Sequence, residues 1–247
     1  MGRARRSDPR PPPGGVLDLA GGCFPGAKSG AWGHPPFKCE GPLPYLHTGR
    51  RTGLEYFPER SLTHSPALRA PAFIMRILIA CEFSGVVRDA FRAKGHTAVS
   101  CDLERSERGE PHLRCDIREV LGMDMWDMII AFPPCTYLCS SGARWYGNSE
   151  QMLEAVQFVR EIWNAPAKKI CIENPVGALS TWFRRPDQYI QPWQFGHGET
   201  KRTGLWLKNL QPLVPTCEVA GRKNRIHYMP PSVNRSRERS RTYAGIA

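Results

Sequence analysis

Two short apolar runs either side of an amphipathic stretch constrain this chain more than any other feature. Met128-Ile129-Ile130-Ala131-Phe132 and Lys169-Ile170-Cys171-Ile172 are too short for helices, so they read as buried strands. Between them, Glu150–Trp163 sets Met152, Ala155, Val156, Val159 and Trp163 on one helical stripe. Strand, helix and strand in that order imply two parallel strands joined by a right-handed crossover. The carboxyl ends of both strands then open at one sheet edge, which is where open α/β sheets bind ligands. That edge receives Pro133-Pro134-Cys135 from the first strand and Glu173-Asn174-Pro175 from the second.

The same alternation begins earlier. Arg76–Ala80 is a compact apolar run, and Val86, Val87, Ala90, Phe91 and Ala93 follow at helical spacing as far as Gly95. Thr97–Cys101 reads as a second strand, Leu113–Cys115 as a third, and Arg118–Leu121 as a short helix. Residues 136–148 form a Gly/Ser-rich loop. Beyond about residue 188 the pattern loosens, with Gly204–Leu207 and Arg225–Tyr228 as shorter late strands. The fold class is therefore α/β, Rossmann-like, with a mostly parallel sheet.

Composition divides the chain. Residues 1–74 hold 12 of the 23 prolines and 11 of the 23 glycines, and no apolar period survives there. Too little apolar surface offsets the entropy of ordering that segment, which predicts a low-complexity, disordered extension. Met75, directly before the first strand, fits an internal start. Residues 75–247 are long enough for one domain with a full core. They carry 24 Lys+Arg against 18 Asp+Glu, and from Lys201 onward 10 against 2. A near-neutral body with a basic segment over 201–247 points to a polyanionic partner; a solvated tail at Arg235–Arg241 is the plainer alternative. The nine cysteines lack CxxC pairs or zinc spacing, so no metal is expected. There is no apolar run of membrane length and no signal-peptide h-region, so the expectation is a soluble, cytoplasmic protein.

The chemistry follows from side-chain types at the strand ends. Cys135, in a loop stiffened by two prolines, is a candidate nucleophile, and Glu173 a candidate acid beside it. Such a pair suits addition to an electron-poor ring such as a pyrimidine. Phe83-Ser84-Gly85 turns from strand to helix, where glycine lets the backbone approach a ligand. Asp102 has the placement of an acid gripping two ribose hydroxyls, and Asp116 is placed to accept from an adenine amino group. Each acid alone also reads as a helix cap. Together, at successive strand ends, they describe an adenosine-containing ligand.

In their order along residues 75–230, these motifs resemble the DNA (cytosine-5) methyltransferases, in the small form of phages and prophages. Pro134-Cys135 with Gly142 matches the nucleophile motif, although Cys139 stands where the family has serine. Glu173-Asn174 matches Glu-Asn-Val with Pro175 replacing valine, and Phe83-Ser84-Gly85 matches Phe-Ala-Gly. Cys115-Asp116-Ile117 matches Gly-Asp-Ile; Gly221, Lys223 and Arg225 match Gln-x-Arg-x-Arg in part. The cofactor turn has Val87 and Arg88 in place of further glycines, and there is no room after Arg225 for a target recognition domain.

The resemblance implies S-adenosylmethionine as cofactor, held by Phe83, Ser84, Gly85, Asp102, Asp116 and Pro133. It implies DNA as partner, with Lys223, Arg225 and Asn174 at the base; whether a separate partner chain supplies recognition stays open. Cys135 would add to carbon-6 of a flipped cytosine, Glu173 would support ring nitrogen 3, and Arg225 would hold the base carbonyl. Two other readings stand beside it. An amino methyltransferase needs a polar residue before Pro-Pro and an aromatic after it, and Phe132-Pro133-Pro134-Cys135 has neither. A non-catalytic DNA-binding or accessory protein is the third reading, favoured by the sparse cofactor turn.

Overall fold

The computed structural model describes residues 73–142 and 149–247. The expected extension lies outside the described residues except for Phe73 and Ile74, as do residues 143–148 of the Gly/Ser-rich loop. Seven strands make one sheet: β1 (Arg76–Ala80), β2 (Thr97–Asp102), β3 (His112–Arg114), β4 (Met128–Ala131), β5 (Lys169–Pro175), β6 (Gln188–Ile190) and β7 (Thr203–Lys208). Their order is β3-β2-β1-β4-β5-β7-β6. The first five are parallel, while β7 runs antiparallel to both β5 and β6.

The order 3-2-1-4-5 is that of a doubly wound sheet, and its direction reverses between β1 and β4. The alternation of side chains explains how both faces are covered. Leu78 and Ala80 of β1 face a core with Val99, Ile129, Ile170, Ile172 and the fully buried Trp206. Helices α2 (Arg118–Leu121) and α3 (Glu150–Trp163) close that face. Ile77 and Ile79 point the other way, to Val87 and Phe91 of α1 (Val86–Ala93) and to Met128 and Ile130.

Helix α3 shows the local logic. Ser149 is extended and its hydroxyl accepts the Met152 N–H at 3.2 Å, satisfying one free donor of the first turn. Met152, Ala155, Val156, Val159 and Ile162 are then buried, and the larger of these side chains are each worth roughly 1.5–3 kcal/mol. Two shorter helices follow, α4 (Leu179–Trp182) and α5 (Arg235–Ser240).

One expected strand is a turn. The Asn224 carbonyl accepts the N–H groups of both His227 and Tyr228, so Arg225–Tyr228 closes on itself. Only Ile226 of that run is buried. A single inward side chain cannot supply the alternating face a strand needs. No helix among the described residues is long and apolar enough to cross a membrane.

Candidate active site

The parallel strands β4 and β5 deliver Cys135 and Glu173 to one edge, as their register requires. Between them Asn174 is buried, and its Nδ2 donates to the Pro133 carbonyl at 2.8 Å. Asn174 therefore braces the Pro-Pro turn from inside rather than facing a base. The N–H groups of Leu138 and Cys139 both donate to the Cys135 carbonyl at 3.0 Å, so Cys135 opens a single tight turn. Cys139 in turn bridges to Gly177. A Cβ on Gly177 would lie 1.9 Å from the Leu138 carbonyl oxygen, so only glycine allows this approach.

Because β7 runs antiparallel to β5, its amino end lies at the same edge, with Thr203 opposite Pro175. That geometry brings in Lys201, whose Nζ stands 3.9 Å from Glu173 Oε1, both side chains mostly buried. A cleft lined by Phe132, Glu173, Pro192, Lys201, Thr203 and Tyr243 opens beside them. Cys135 is exposed. Its pKa is held well above the ordinary thiol value, chiefly by the hydrogen bond with Cys139, then by burial and the Glu173 charge. Lys201 acts in the opposite direction. The Cys135 thiol is thus held neutral, with Lys201 acting towards its thiolate.

The other half of the edge is built from β1, β2 and β3. Gly85 has φ +71, and a Cβ there would come within 2.8 Å of an Arg88 nitrogen. Arg88 is 1% exposed. Its guanidinium pairs with Asp89 at 2.8 Å and donates to the Gly109 carbonyl at 2.7 Å and to Ser106 at 3.2 Å. Arg88 therefore pins the loop after β2 to the Ser84–Gly85 turn. The Ser84 hydroxyl donates to Glu82 Oε1 at 2.7 Å, which also accepts the Val87 N–H at 3.1 Å. Glu82 Oε2 is buried with no partner.

Asp102 ends β2 with its pKa pushed up to about 6, chiefly by burial, although it accepts the Glu104 N–H. An orphaned carboxylate oxygen and a desolvated acid at one edge suit a ligand rich in hydroxyl and ammonium donors. Asp116 is half-exposed; it accepts the Arg118 N–H at 2.9 Å at the start of α2 and pairs with the Arg118 side chain. Its cap role is thus visible, with an exposed rim left for an amine.

The structure leaves Lys223 and Arg225 on the exposed rim. Lys223 pairs through its backbone with Gly198 and Thr200. Arg225 grips Glu199, Nε to Oε1 at 2.7 Å, and Glu199 also accepts the Tyr243 hydroxyl. The cation brought to Glu173 is Lys201. Sequence reasoning missed it because its position depends on β7 lying antiparallel against β5; its place directly before that strand was the available signal. The arginine segment is docked rather than free: Arg237 pairs with Glu104 and Glu107, Arg241 with Glu107, and Arg237 lies 4.6 Å over the Phe83 ring.

No protein-family model matches this chain, and no curated protein matches it. Among solved structures, weak similarity is found to a prophage-encoded DNA modification methyltransferase from E. coli, 14% identical with TM-score 0.37, over 54% of this chain and 46% of that one. Two structures of WbdD, one monomeric and one with a kinase inhibitor, are 13% identical with TM-score 0.37, over 57% of this chain and 38% of theirs. The chain thus spans less than half the length of these structures.

Proposed function

We propose that this protein is a DNA cytosine-5 methyltransferase that works through a covalent Cys135 adduct. The observation carrying this reading is the convergence of Cys135, Glu173 and Lys201 at the carboxyl edge, across from the Glu82–Gly85 turn and Asp102. Glu173 and Lys201 line one cleft and Cys135 stands near enough to sense both charges, which offers a pyrimidine ring an acid, a cation and a nucleophile for addition at carbon-6.

Phe83, Ser84, Gly85, Asp102, Asp116 and Pro133 would hold S-adenosylmethionine, which supplies an electrophilic methyl group when bound. Ser84 serves through its backbone, since its hydroxyl is engaged by Glu82. Asp102 accepts hydroxyl donors in its ionised form, which prevails above about pH 6.

A cytosine leaves its stack to enter the cleft. Cys135 passes its proton to the Glu173 carboxylate as its sulfur bonds to carbon-6. Lys201 favours the thiolate, and Glu173, now carrying that proton, donates it to ring nitrogen 3 so that negative charge does not build up on the ring. Carbon-5 becomes the nucleophile and forms the new carbon–carbon bond. Loss of the carbon-5 proton to a base and departure of the Cys135 sulfur restore the aromatic ring. Asn174 keeps the Pro133 turn in place throughout. Lys223, Arg225 and the arginines of α5 lie on the rim for phosphate contact.

The test is methyl incorporation into DNA by the wild type and by Cys135→Ser, with DNA bearing 5-fluorocytosine as a trap. Wild-type protein should become covalently linked to the fluorinated DNA, and Cys135→Ser should lose incorporation by about a thousandfold or more. Equal incorporation by the two proteins would overturn the assignment of Cys135.

A further inference from the structure

The cleft beside Glu173 has a wall that comes from far along the chain. Thr242, Tyr243 and Ile246 line it together with Glu173 and Lys201. Tyr243 is oriented from several directions. Its hydroxyl donates to Glu199, which the Arg225 fork fixes through Nε at 2.7 Å and a second nitrogen at 3.3 Å. Its ring sits 5.0 Å from the His197 ring. Two residues on, the Gly245 N–H donates to His197 Nε2 at 3.0 Å, and Ile246 packs against the cluster of Ile190, Phe195 and Leu205. A Cβ on Gly245 would lie 1.9 Å from the Phe195 carbonyl oxygen, so this segment runs pressed against the 190–199 loop.

We infer that Tyr243 is a positioning residue of this cleft, whose ring gives a flat face for a planar nucleobase while Glu199 and Arg225 fix its angle. The inference rests on the cytosine reading for the identity of the base. An aromatic face held rigid by its own hydroxyl suits a base taken out of its stack, because the ring takes the place of the neighbouring bases in the strand. The arrangement also gives Arg225 a definite role: it acts on the base through Glu199 and Tyr243. Thr242, which lines the cleft beside Tyr243, adds a hydroxyl at the same wall.

The test uses the full chain and two labelled single-stranded probes, an oligodeoxycytidylate and an abasic oligomer of equal length. Wild-type protein should prefer the probe with bases. Tyr243→Leu, which keeps apolar volume but removes the ring, should weaken binding of oligodeoxycytidylate about 5- to 150-fold and leave the abasic probe unchanged. Tyr243→Phe should retain most of the preference, and should raise KM for DNA more than it lowers kcat. Thermal unfolding of each variant reports any loss of fold, and Tyr243→Phe supplies the comparison where Tyr243→Leu does not fold. Equal weakening of both probes, or no weakening of either, would overturn the role of Tyr243. Failure of the cytosine reading itself would appear separately, as absence of methyl transfer by the wild type.

Discussion

The two halves of the sheet edge solve different problems. The half after β1, β2 and β3 takes every one of its acids from the turn that directly follows a parallel strand, and Arg88 stitches these turns together from within. The half after β4 and β5 gathers Cys135 and Glu173 in the same way, but then draws Lys201 from before an antiparallel strand and Tyr243 from beyond α5. The first half is locally encoded and internally braced. The second depends on contacts between residues far apart in sequence, which makes its geometry sensitive to the packing of β7.

Five substitutions, two of them read by the same reaction, would break or sharpen that contrast. The largest effect is expected at Arg88. Arg88→Met removes a buried guanidinium and its hydrogen bonds to Gly109, Ser100 and Ser106, while the half-exposed Asp89 keeps Arg108, at a cost of about 2–4 kcal/mol in thermal unfolding. Donor binding should be lost before the Cys135 region is disturbed, and an unchanged melting curve would show the brace to be dispensable. Next comes Gly177→Ala, which forces a clash with the Leu138 carbonyl. It should cost about 1–3 kcal/mol and suppress covalent trapping more than donor binding.

The third change acts on charge alone. Lys201→Met removes the cation that favours the Cys135 thiolate, so alkylation of Cys135 by iodoacetamide near neutral pH should slow about three- to tenfold. Cys139→Ala removes the largest influence holding the thiol protonated and should speed the same reaction. A rate indifferent to both substitutions would mean that neither group senses the thiol.

The smallest effect belongs to Asp102. Its folded pKa of about 6 lies above the ordinary 3.8, so the folded state binds a proton between these values while the unfolded state does not. Stability of the ligand-free protein should therefore rise as pH falls from about 6 towards 4. Asp102→Asn should remove that slope and stabilise the protein at pH 7 by about 0.5 kcal/mol while weakening donor binding. A slope that persists in the variant would assign it to another group.

The same contrast explains what could be read from the chain. β1 to β5, α1 and α3 follow from local periodicity, and the Ser149 cap marks where α3 begins. Cys135, Glu173, Asp102 and the Gly85 turn were legible because each lies at or just beyond the end of a short apolar run. Arg88 looked like a departure from a glycine pattern, and only the fold shows that its guanidinium fills the space behind the turn. Asn174 was expected at the base because it adjoins Glu173, yet alternation along β5 turns it inward. Lys201 and Tyr243 were not legible, because nothing local announces that β7 reverses direction or that the chain returns over the cleft after α5. The Arg225–Tyr228 run was read as a strand from composition alone, and one buried isoleucine was all the core it had to offer.

Arg237 and Arg241 are already neutralised by Glu104 and Glu107. Binding a nucleic acid through them means exchanging carboxylate partners for phosphates, so these two arginines displace fewer counterions from the strand than free ones would. The salt dependence of binding should accordingly be shallower than the 10 basic residues from Lys201 onward suggest. Since Arg237 also covers the Phe83 ring, the same exchange would uncover the Phe83–Gly85 turn.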